Sequence, residues 1–80
     1  MLPTILRLQT VKSALGISRS TFYSLIKLGL WTKPVRIGSR IVGWPESEVT
    51  SLIKARIAGR SESDICLLVK TLETQREIEQ

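Results

Sequence analysis

Arg19, Ser20, Tyr23, Ser24 and Lys27 are the residues of this 80-residue chain whose types and spacing first suggest chemistry. On a helical wheel Ser20, Tyr23, Ser24 and Lys27 fall opposite Phe22, Leu25 and Ile26, with Arg19 on the N-terminal flank. The outcome is a short face of hydroxyls and cations that can meet the donors and acceptors of base edges, as a helix in a DNA major groove must. An ordinary solvated helix surface has the same look, and Tyr23 taken alone is equally suited to half burial.

A second group lies further along. Arg36 and Arg40 flank Gly38-Ser39, so a tight tip would carry a guanidinium past the body of the domain toward a phosphate or a narrow minor groove. Arg40 is the stronger of the two, Ser39 stands beside it, and Lys33 and Arg7 add cations that can neutralise phosphate. The competing reading is a pair of strand arginines whose stems cover apolar surface. Lys54, Arg56 and Arg60 read as solvated cations.

Nothing here equips an enzyme. The chain has no His, which removes the commonest general base, and its single cysteine, Cys66, can form neither an internal disulfide nor a Cys/His zinc site. Cys66 reads as a small buried hydrophobe. No phosphate-binding loop occurs, and Glu46 and Glu48 read as first-turn helix charges and not as an acid pair. No cofactor and no metal are expected.

Charge is divided unevenly along the chain. Residues 1–60 hold ten Lys and Arg against Glu46 and Glu48, whereas residues 61–80 hold Lys70 and Arg76 against five acids. A polyanion would therefore meet the front of the chain. The longest apolar run, Ile65 to Val69, is far too short for a bilayer, and Met1 to Leu8 lacks the form of a secretory signal, so a soluble cytoplasmic protein is expected.

The positioning elements follow from periodicity and punctuation. Thr10 can cap a helix whose Val11, Ala14 and Leu15 share a face, ending at Gly16; Ser18 can cap a second, ending at Gly29. The two make a helix-turn-helix with Ile17 plugging its angle. Val35 to Val42 reads as a hairpin with a two-residue II′-type turn at Gly38-Ser39, the wing, entered through Pro34. Its apex shows no Phe, Leu or Ile wedge, so kinking of DNA by intercalation is not expected. Trp31 and Trp44 are assigned to the core. Pro45 opens a third helix at its first position, with Val49, Leu52, Ile53 and Ile57 as its stripe and Gly59 as its stop. Ser61 and Asp64 form a capping box for a last helix with Ile65, Leu68, Val69 and Leu72 in one stripe and a polar second half that frays.

The runs Leu15 to Lys27, Lys33 to Arg40 and Val42 to Val49 together resemble the AlpA family of prophage regulators in order and spacing, over roughly residues 5–60. Leu30 and Thr32 depart from it, standing where a basic or polar residue and a Pro are usual. The resemblance implies a MerR- or excisionase-like winged helix-turn-helix acting near an integrase gene or attachment site, with Arg19, Ser20, Tyr23 and Lys27 toward the major groove and the Arg36 to Arg40 hairpin as wing.

The expected fold is therefore mainly α with a small β-hairpin: a winged helix-turn-helix over residues 1–60 and, outside the family pattern, a C-terminal amphipathic helix over 61–80. That helix either packs on the domain or pairs with a second copy. The expected function is sequence-specific regulation of transcription through double-stranded DNA, with integrase or RNA polymerase as further partners. The rivals are an excisionase-type factor that bends attachment-site DNA and an adaptor that docks an acidic protein on the same basic face.

Overall fold

The computed structural model describes residues 2–78. Met1 and residues 79–80, counted above in the N-terminal apolar segment and the acidic tail, lie outside the described residues. The described chain runs β1 (Ile5–Leu6), α1 (Leu8–Leu15), α2 (Arg19–Lys27), β2 (Val35–Arg36), β3 (Val42–Pro45), α3 (Glu46–Ile57) and α4 (Glu62–Ile78). The strands form an antiparallel sheet in the order β1-β3-β2. This mostly helical arrangement is compatible with a winged helix-turn-helix followed by a C-terminal helix.

The helix-turn-helix forms for the reasons its punctuation suggests. Gly16 takes a left-handed conformation, φ 69°, and its N–H and that of Ile17 close on the carbonyls of Ser13 and Lys12. Ser18 Oγ then accepts from the Thr21 N–H at 3.2 Å, capping α2. The start of α1 differs from expectation: Arg7 is its N-cap, without a side-chain cap bond, and Thr10 lies inside the first turn. The extended Arg7 backbone leads straight out of β1, so the helix opens earlier than its polar residues suggest. Consequently Leu8, Val11 and Leu15 face the core and Ala14 is exposed.

The strand β1 was not expected at all. It pairs Ile5 with Pro45 and Leu6 with Trp44, and Glu46 N–H donates to the Thr4 carbonyl at 2.7 Å. Gly43 permits this approach: a Cβ there would stand 2.5 Å from Ile5 Cγ2 and 2.8 Å from the Leu6 carbonyl oxygen. The hairpin is also corrected. Its strands pair Val35 with Gly43 and Arg36 with Val42, leaving a five-residue loop, 37–41, instead of a two-residue turn. A II′ turn requires positive φ at its first central residue, and Gly38 does not adopt it.

Around Phe22 the core is aromatic. Trp31 and Trp44 meet its ring edge-on at centroid distances of 5.5 and 5.0 Å, and all three are essentially inaccessible. Val11, Val49, Leu52, Ile65 and Val69 complete it. The stripe of α4 thus lies against the chain's own core, with Leu68 and Leu72 packed beside Ile65 and Val69.

Three further expectations change. Pro45 ends β3 and caps α3 instead of taking its first position. Ile57 is 81% exposed, and Arg56 occupies the inward side instead, its guanidinium 5.2 Å from the Trp31 ring centre and bonded to the Leu30 and Leu52 carbonyls. Burial holds the Arg56 pKa below its ordinary value. Cys66 is only half buried, with its sulfur beside Gly29.

Candidate nucleic-acid interface

The outer face of α2 carries Arg19, Ser20, Tyr23, Ser24 and Lys27, every one of them exposed. Phe22, on the opposite side, anchors the helix through Trp44 to β3 and through Trp31 to the segment between α2 and β2. The helix and the hairpin are therefore held by one shared side chain. Tyr23 is 38% exposed: its ring meets Phe22 edge-on at 5.9 Å while the Arg19 guanidinium sits 5.7 Å from its centre. It bridges core and surface.

Arg36, Ser39 and Arg40 are exposed on the hairpin, and Lys33 is exposed at its entry. Residues 1–45 contain seven Lys and Arg and no acid, so this surface has no internal neutralisation from its own elements.

Two features escaped the sequence reading. The first is the attachment of α4. Arg76 donates to both Glu48 carboxylate oxygens, at 2.7 and 2.6 Å, and to the Lys33 carbonyl at 2.8 Å, while Glu73 accepts from the Lys33 N–H at 2.8 Å. Glu48 is 4% exposed, so its charge is a buried, paired one and not merely a first-turn charge. The second half of α4, expected to fray, is tied down by these bonds. No local pattern announces partners this far apart in the chain. The second is the wing loop: Ile37 and Ile41, at its two ends and flanking the Gly38-Ser39 tip, are 49% and 42% exposed. Alternation along the chain flagged them as strand residues, whereas both fall outside the paired strands.

Among the described residues no three His, Cys, Asp or Glu side chains gather as a metal site, and no helix is long and apolar enough to cross a membrane.

A small helical protein with an exposed, basic, hydroxyl-bearing helix beside a hairpin is the class this arrangement defines. The chain belongs to the family described as prophage CP4-57 regulatory protein (AlpA), whose pattern matches residues 4–57. That is a regulatory family, not an enzyme family. The chain is also 46% identical over 55 residues to the uncharacterized protein ORF88 of Enterobacteria phage P4. The shared segment covers 69% of this chain and 62% of that relative's length. No solved structure matches the chain. The family pattern ends at residue 57, before α4 begins.

Proposed function

We propose that this chain is a sequence-specific DNA-binding regulator of transcription in a prophage or related mobile element. In this reading α2 lies in the major groove, with Arg19, Ser20, Tyr23, Ser24 and Lys27 on base edges and adjacent phosphates. The hairpin over residues 35–42 rests on backbone or minor groove through Arg36, Ser39 and Arg40, with Lys33 at its root. The observation that carries the proposal is the exposure of the whole polar face of α2 while Phe22 fixes its other side. A helix so presented can enter a groove without disturbing the core. Double-stranded DNA is the partner, residues 1–60 carry the contacts, and the protein acts in the cytoplasm. Contacts with integrase or RNA polymerase, and a second copy meeting α4 around the exposed Leu67, belong to the same proposal.

A second reading, an excisionase-type factor that bends DNA, is favoured by one specific observation, the exposed isoleucines of the wing loop. Selection from a random duplex pool tests the first reading directly. Enrichment of a defined motif, lost in Lys27→Ala, is expected; a pool that stays random would sink it.

A further inference from the structure

Ile37 and Ile41 bracket the loop between β2 and β3, and backbone bonds close it there. The N–H groups of Ile37 and Gly38 donate to the Ile41 carbonyl at 2.7 and 3.2 Å. Each side chain has a seat: Ile37 Cδ1 lies 3.3 Å from where a Cβ on Gly43 would stand, and Ile41 Cδ1 lies 3.8 Å from the same point on Gly38. Their outer halves face solvent. Arg36 and Arg40 are exposed within the same stretch, Ser39 is at the tip, and no acid precedes Glu46.

Single exposed apolar side chains are ordinary. Two on one short loop, accompanied by two cations and no anion, make a surface with apolar and cationic parts side by side. A minor groove is its complement, with phosphates along both edges and apolar sugar walls and base faces within. At a width of about 6 Å it admits a tip built of Gly and Ser. β-Branched side chains suit such insertion because few rotamers remain to be lost.

We propose that the wing is a minor-groove wedge: Ile37 and Ile41 press on sugars and a base step while Arg36 and Arg40 hold the flanking phosphates, bending the duplex toward its major groove. The inference rests on the DNA-binding reading above and adds a mechanical role to it, namely that the protein shapes the DNA it occupies.

A duplex of about 30 base pairs from the wild-type selection, with donor and acceptor dyes at its ends, reports bending as energy transfer. The wild-type chain should bring the ends closer. Ile37→Ser combined with Ile41→Ser should remove most of that change and weaken binding about tenfold with an unaltered salt slope, since no phosphate contact is lost. Arg40→Ala should instead lower the slope by about one. Melting followed by circular dichroism checks the fold, and Ile41→Thr, which keeps the branching, is the milder variant if the double substitution melts early.

A duplex bound but left straight, or bent equally by wild type and double variant, overturns the wedge and leaves DNA binding in place. Loss of self-association in the serine variant with bending unchanged overturns it in favour of a protein contact. Failure of the wild-type chain to bind any duplex removes the wedge together with the DNA-binding reading.

Discussion

Arg76 and Glu48 form a two-pronged ion pair that fastens the last helix to the first turn of α3, 28 residues away. Glu48 is nearly inaccessible and Arg76 about a fifth exposed, so the pair is strong only as a unit. Arg76→Ala should destabilise the chain by about 3 kcal/mol, because it strands a buried carboxylate. Replacing both by leucine should restore much of the loss. Urea denaturation of Arg76→Leu, Glu48→Leu and the double leucine variant checks this, and additive losses would show the residues to be uncoupled.

Two glycines of one hairpin should respond in opposite ways. An added methyl at Gly43 meets Ile5 and the Leu6 backbone too closely for relaxation without moving β1, so Gly43→Ala should cost about 1–3 kcal/mol. At Gly38 the same methyl meets Ile41 at ordinary contact distance, and φ is not left-handed. Gly38→Ala should therefore be neutral or slightly stabilising. Thermal melts of both variants decide the matter.

Salt should control binding. Arg7, Arg19, Lys27, Lys33, Arg36 and Arg40 are all exposed, and neutralising most of their phosphate partners gives a log–log slope of about −4 to −5. Lys27→Ala and Arg40→Ala should each flatten it by about one while leaving stability within about 0.5 kcal/mol. A flat titration of the wild-type chain would contradict the electrostatic premise.

Truncation after Arg60 should not yield a folded 60-residue domain of wild-type stability. It removes Ile65 and Val69 from the core together with the ties from Glu73 and Arg76. Loss of cooperative melting, or a midpoint lowered by tens of degrees, is expected from so large an uncovered apolar surface. A truncated chain melting like the whole would show α4 to be dispensable.

Local chemistry made the helices legible. Gly16, Gly29 and Gly59 end helices as expected, Ser18 and Ser61 cap them, and the polar face of α2 emerges where its period put it. What remained hidden depends on contacts between distant segments. The Gly-Ser pair looked like a turn because dipeptide composition says nothing of register, which the pairing of β3 with β1 and β2 decides. Glu48 looked like a surface charge because Arg76 is invisible to a local window. Arg56 and Ile57 exchanged roles because a stacked guanidinium with two carbonyl partners can line a core as well as an aliphatic chain.

The aromatic cluster has an optical consequence. Trp31 and Trp44 are the only tryptophans, both are shielded from water, and they belong to segments on either side of the hairpin's first strand while packing on one ring of α2. Their emission in the native state should be blue, and it should shift red in a single step if helix and hairpin come apart together. The chain thus carries its own fluorescent gauge of whether α2 and the hairpin remain assembled, with no dye attached to either.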